Sequence, residues 1–205
     1  MKMHIIGTGT ATVSKYINTS CVFEEDDQLF LVDGTGGSDI LRAFDTMNLN
    51  WKKLHYAFLS HEHTDHFLGM IWVIRTIAEL LELEEYEGDF YLYGNDEVLG
   101  KALQVCRMIL KKRSQAFLET RIKFVLVKDH ERKHILNYDF TFFDIGSTLV
   151  EESKVYEDRM KKIAELSCAT YEQVYECAMS FYKENKKGDL EATRQLGVKL
   201  PKWES

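Results

Sequence analysis

Proline is almost missing from this chain: Pro201 is the only one in 205 residues, so no helix or strand before it is interrupted by one. No Pro- or Ser-rich linker and no internal repeat divides the sequence. Cysteine is sparse too. Cys21, Cys106, Cys168 and Cys177 show neither a C-x-x-C spacing nor a disulfide framework, and they read as reduced thiols. There is no charged-then-apolar leader, and no stretch approaches the ~18 uninterrupted apolar residues of a spanning helix. The most apolar stretch, Ile71 to Leu83, is broken by Arg75, Glu79 and Glu82 and reads as a buried helix. No membrane partner is expected, and the expected location is cytoplasmic. Positive charge is also in deficit, with 26 Lys and Arg against 33 Asp and Glu and a net charge of −7. That balance disfavours a general nucleic-acid-binding surface. The basic run Lys111-Lys112-Arg113 is read as a solvated helix end. What remains is an ordinary globular composition, 45% hydrophobic, long enough to bury a real core in one domain or one and a half.

Against these absences one segment is dense. His61-Glu-His63-Thr-Asp65-His66 places three of the seven histidines and an aspartate within a few residues. Leu54 to Leu59 before it is apolar and partly aromatic, as in a short buried strand, and Phe67 to Trp72 after it begins a helical pattern. The cluster is therefore expected on a strand-to-helix loop. Neutral imidazole suits zinc and related divalent ions, and a carboxylate completes a hydrolytic type of site. Two residues apart, His61 and His63 can point the same way from an extended loop, while Asp65 and His66 turn toward a neighbouring position. That spacing suits two ions roughly 3.5–4 Å apart.

The His-x-His-x-Asp-His pattern resembles the signature of the metallo-β-lactamase superfamily. Met3-His4-Ile5-Ile6 followed by Gly7-Thr8-Gly9-Thr10 is similar to the first strand and glycine turn of that fold. Thr19 to Phe23 and Leu29 to Asp33 read as the next two strands. Asp33-Gly34-Thr35-Gly36-Gly37 resembles the superfamily's Asp-x-Gly turn, in which the aspartate supports the histidine loop from behind, although Thr35 holds the glycine position. The glycines themselves read as turn residues needing positive φ. The branch most similar is that of ribonuclease Z and related small hydrolases, over roughly residues 1 to 143. The resemblance implies an α/β chain of αββα type with metal ligands His61, His63, Asp65 and His66. Asp65 would double as proton acceptor for water bound to zinc, manganese or iron, in two sites. The substrate would be a small molecule or phosphodiester with an ester bond to hydrolyse.

The family's later ligands are not found. The histidine expected after the strand Tyr138 to Ile145 is Gly146 here, and the later aspartate and final histidine do not follow, so the second half of the fold is expected to be lacking. His130 and His134 flank a charged segment that reads as a solvent-exposed turn. A metallo-β-lactamase-like domain is thus expected over 1–147 and a helical segment over 148–205. In that segment Val155, Met160, Ile163, Ala164 and Leu166 fall at helical spacing. Thr170 and Gln173 form a capping box, Val174, Cys177, Ala178 and Phe181 form a core stripe, Gly188 is a C-cap, and Asp189 caps a third helix ending near Gly197.

The junction Phe142 to Val150 resembles the first motif of haloacid dehalogenase-type phosphatases, with Asp144 at the nucleophile position and Gly146 in place of the acid/base aspartate. Three functions stay open on sequence alone. They are a metal-dependent hydrolase, a phosphatase using Asp144, and a non-catalytic chain that completes its sheet as a homo-oligomer.

Overall fold

A computed structural model describes residues 1–142, 152–167, 169–182 and 188–198. The chain divides into two compact units, Met1–Phe142 and Phe143–Ser205. The first unit is built on a six-stranded sheet with strands in chain order: β1 (Lys2–Gly7), β2 (Ser20–Glu25), β3 (Gln28–Val32), β4 (Leu54–Phe58), β5 (Phe90–Gly94) and β6 (Ile122–Leu126). β1, β2 and β3 are joined antiparallel, and β3 through β6 run parallel. The parallel strands have short apolar cores such as Leu29-Phe30-Leu31-Val32 and Phe90-Tyr91-Leu92-Tyr93, as strands covered on both faces require.

The parallel crossovers supply a layer of helices, α1 (Asp39–Thr46), α2 (Thr64–Glu82), α3 (Asp96–Ile109) and the single turn α4 (Lys112–Gln115). α1 buries Ile40, Ala43 and Phe44, spaced one turn apart, and Phe44 stacks on Trp51 at 3.8 Å between ring centroids. Ser38 occupies the N-cap position but makes no side-chain cap bond, because its own backbone is already helical (φ −68°, ψ −4°). α2 buries Ile71, Val73, Ile74, Ile77 and Leu81 against Leu31, Ala57 and Leu92 of the sheet, with Leu80 half-buried.

Two helix boundaries differ from the sequence expectation. α2 begins at Thr64, ahead of the helical pattern that starts at Phe67, so Asp65 and His66 stand in its first turn and not on the preceding loop. His63 takes the extended N-cap conformation, and the Asp65 carboxylate suits the positive end of the helix dipole. The stretch from Asp96 to about Phe117, which reads as one helix in sequence, is two, because Leu110 is extended (φ −76°, ψ 152°). The Gln115 amide donates to the carbonyls of Arg107 (2.9 Å) and Leu110 (2.7 Å), satisfying the end of α3 that the break leaves open.

The opposite face of the sheet is covered by an antiparallel hairpin, β7 (Arg132–Ile135) and β8 (Tyr138–Thr141). Phe140 packs on Phe23 and Phe30 at 5.7 and 4.8 Å, and Phe142 packs on Phe58 at 4.7 Å. The segment expected to be a charged turn thus contains a strand, with His134 Nδ1 3.0 Å from Asp139 across the hairpin. Ile135 is its buried anchor. β8 ends at Thr141, short of the expected Ile145. Asp144 and Gly146 lie outside the described residues.

The second unit contains α5 (Glu152–Ser167), α6 (Tyr171–Tyr182) and α7 (Gly188–Gln195) around Met160, Ile163, Val174, Ala178 and Ala192, with Cys177 packed against this group. The capping box forms in both directions, the Thr170 amide donating to Gln173 Oε1 at 2.9 Å and the Gln173 amide to Thr170 Oγ1 at 3.3 Å. Gly188 opens α7 rather than closing α6, so Asp189 lies inside that helix instead of capping it. α7 ends in a Schellman motif at Gly197 (φ +69°), with Val198 N–H on Thr193 O and Gly197 N–H on Arg194 O. Cys21, Cys106 and Cys177 are free thiols, and burial pushes the Cys106 thiol up to about 12. Cys168 lies outside the described residues. Among the described residues no helix is long and apolar enough to cross a membrane.

Gly34, after β3, serves close approach rather than positive φ. In this turn the left-handed residues are Asp33 (φ 60°) and Thr35 (φ 69°), with Gly34 between them. A Cβ on Gly34 would stand 2.0 Å from Met70 N, and one on Gly69 1.5 Å from Gly34 O, so the turn and α2 cross backbone to backbone. The crossing is bonded twice, Gly34 N–H to His66 O at 2.8 Å and Gly69 N–H to Thr35 O at 3.0 Å. Gly69→Ala is expected to lower stability in thermal or urea unfolding by about 3 kcal/mol or more, since neither clashing partner is a movable side chain. Gly37→Ala, with nothing within 4 Å of the new Cβ, is expected to stay within about 0.5 kcal/mol of wild type.

Candidate metal centre

The histidine motif lies just past the C-terminal end of β4, next to the C-terminal end of β3, on the rim where parallel sheets place their ligands. Asp33 follows β3, Ser60 and His61 follow β4, and Asp65 and His66 begin α2. Two bonds bring these ends into one plane of the sheet: Asp33 N–H donates to Phe58 O and Leu59 N–H to Tyr93 O, both at 2.9 Å.

Asp33 is the hub. Its carboxylate is buried and accepts from the Ser60 amide and the Ser60 hydroxyl, each at 2.8 Å, and from His66 Nδ1 at 2.8 Å. The Ser60 hydroxyl has one proton and spends it on Asp33, so His61 Nδ1, 2.8 Å from Ser60 Oγ, is the donor in that contact. The network therefore assigns one tautomer to both rings. Nδ1 carries a proton in both rings; in His61 this leaves Nε2 with its lone pair, and in His66 Nε2 faces the Asp65 carboxylate. Asp65 Oδ2 lies 3.3 Å from His66 Nε2. The ring centroids of His61 and His63 are 4.5 Å apart and those of His61 and His66 4.3 Å.

Electrostatics separate the histidines. The hydrogen bond to Asp33 holds the His66 pKa above the ordinary imidazole range, against partial burial. Burial first, then repulsion from His66 and His63, holds His61 below that range. His61 is thus kept as the neutral imidazole that a cation requires. Glu62, inside the same motif, points away and pairs with Lys101 of α3 at 3.2 Å.

The structure brings His61, His63, Asp65 and His66 together, and it leaves His130 and His134 on the hairpin side. Donor types and tautomers suit a divalent ion. Among the described residues, however, no group of three or more His, Cys, Asp or Glu side chains is closed into an ion-holding cluster. Sequence reasoning anticipated Asp33 as the support and missed Ser60. A serine beside a histidine motif gives no signal until the β3 and β4 ends are seen side by side.

Comparison with known proteins follows the same outline. Ribonuclease Z of Bacteroides fragilis is 35% identical over 81 residues, 38% of this chain and 26% of that protein. Ribonuclease Z of Nitrosopumilus maritimus is 21% identical over 97% of this chain and 55% of that protein. The chain thus spans about half, or less, of the length of these curated relatives. Among solved structures, the metallo-β-lactamase fold protein YhfI from Bacillus subtilis superposes with a TM-score of 0.51 at 20% identity, covering 69% of this chain and 52% of that one. A diphosphatase from the PhnP family gives 0.52 at 19%, covering 68% and 54%. These likenesses show the fold, which is of metallo-β-lactamase type with a helical C-terminal segment. The family model described as anti-Pycsar protein Apyc1 matches residues 1–145, the stretch that contains the whole sheet, the Asp33 turn and the histidine loop, and the chain belongs to that family.

Proposed function

We propose that this chain contributes the water-activating loop of a metal-dependent hydrolase that cleaves an ester, most specifically a phosphodiester. The observation that carries the reading is the Asp33 hub, which holds His66 Nδ1 directly and His61 Nδ1 through the Ser60 hydroxyl, so that Nε2 is the nitrogen a metal would take on each ring. His61 and His63 would hold one ion, and Asp65 with His66 a second. Zinc is the first candidate, with manganese or iron as the others. Such an ion, when bound, lowers the pKa of water toward about 7. The chain's own part is to hold the imidazoles in place and to accept at the Asp65 carboxylate the proton that an attacking water gives up. Since no third donor converges among the described residues, a closed shell would draw on groups beyond them.

The substrate class is supported by the names of the similar proteins, a ribonuclease and a diphosphatase, both of which denote cleavage at phosphorus. The net charge of −7 favours a small phosphodiester over a long nucleic acid.

Two measurements test the reading. Elemental analysis of the purified protein is expected to give about one to two equivalents of metal, as a two-ion site allows, and the His61→Ala/His63→Ala variant should lose both metal and turnover of a chromogenic phosphodiester. Retention of both would sink the proposal. Asp33→Asn keeps a residue that tolerates the left-handed backbone, while it weakens the acceptor for Ser60 and His66. It is expected to cost about 10- to 100-fold in zinc affinity by competition titration. Unchanged affinity would mean that Asp33 supports the fold alone.

A further inference from the structure

Away from the histidine loop, the corner between α3 and α4 reverses the charge balance of the molecule. Lys111, Lys112 and Arg113 are consecutive and exposed, and none has an acidic partner among the described residues. Several other cations of this unit are engaged: Lys52 with Glu85, Lys101 with Glu97 and Glu62, Arg107 with Glu119, Arg121 with Asp89. Acidic groups near the end of α2 are likewise committed, Glu79 to Arg75 and Glu82 to the Ser114 hydroxyl at 2.5 Å. The three positive charges are therefore left for something outside this unit.

Large apolar side chains accompany them. Met108 is 74% exposed, Leu83 66% and Ile109 63%. Beside them opens a pocket of about 360 Å³ lined by Glu82, Leu83, Arg113, Ala116 and Phe117. The corner is held in shape by the Gln115 amide on the Arg107 and Leu110 carbonyls and by buried Ser114 on Glu82. A preformed apolar recess with unpaired cations at its rim is complementary to a carboxylate-rich segment that has one bulky apolar side chain to bury. A nucleic acid would need a track of cations along its phosphates rather than one corner. An anionic lipid surface is flat and would leave the recess between Leu83 and Phe117 unfilled.

We propose that the α3–α4 corner is a docking surface for an acidic peptide segment of a partner protein. Its apolar side chain enters the pocket beside Arg113, and its carboxylates lie on Lys111 and Lys112.

The test is fluorescence anisotropy of the full chain with a labelled glutamate-rich peptide that has a Leu-Phe pair at its centre. Saturable binding is expected. It should weaken by about tenfold or more in Lys111→Glu/Lys112→Glu/Arg113→Glu and in Leu83→Ser, and also when the peptide's Leu-Phe becomes Ala-Ala. Each variant is compared at an unfolding midpoint matched to wild type, and Leu83→Ser keeps the test open if the triple reversal does not fold. No saturable binding, or equal binding by both variants, overturns the proposal. So does tighter binding of single-stranded RNA or of phosphatidylserine vesicles that is lost in the same charge-reversed variant.

Discussion

The close crossing of two backbones, the turn after β3 over the first turns of α2, is the contact on which the rest of the first unit depends. Gly34 and Gly69 have no room for a side chain, and two main-chain hydrogen bonds tie them together. That crossing sets how near the start of α2 lies to the end of β3. It is why the Asp33 carboxylate reaches both His66 on the helix and Ser60 at the end of β4. Asp33 and Thr35 accept left-handed backbone in the same turn, a conformation costing on the order of 1–3 kcal/mol each for non-glycine residues, and the surrounding bonds and burial sustain it.

The sheet explains why these parts meet at one rim. Parallel order from β3 to β6 puts the ends of β3 and β4 side by side, and each crossover returns through a helix that packs on the same apolar face. The second face is lined with aromatic residues, among them Phe23, Phe30, Tyr56, Phe58, Tyr91 and Tyr93, and the β7–β8 hairpin lies over it. Helix layer, sheet and hairpin together leave the histidine loop at the edge, half-buried, where desolvation lowers the affinity of His61 for protons while water still reaches His63.

Much of this was legible in residue order. Short apolar or alternating runs bounded by turn residues located β1 to β4 to within a residue or two. A stripe at helical spacing located the buried side of α2, and the Thr170–Gln173 box marked the start of α6. The errors have physical sources. α2 begins early because its first turn is held by the Asp33 turn, a contact local periodicity does not encode. The break at Leu110 depends on Gln115 reaching back to carbonyls of α3. β7 was hidden because a strand of basic and polar residues, Arg132-Lys133-His134-Ile135, has only Ile135 to bury, and its partner β8 supplies the rest.

By itself the sequence determined the period of each element and the donor types gathered in the histidine motif, because both depend on spacings of a few residues. It also determined the near-absence of proline and the lack of long apolar runs. Tertiary structure decided which nitrogen of His61 and of His66 is held from behind, what Asp33 and Ser60 do, and why Gly34 and Gly69 are needed. These depend on atoms brought within 3 Å across 33 residues of chain, as between Asp33 and His66, and such approaches exist only once the sheet and α2 have packed.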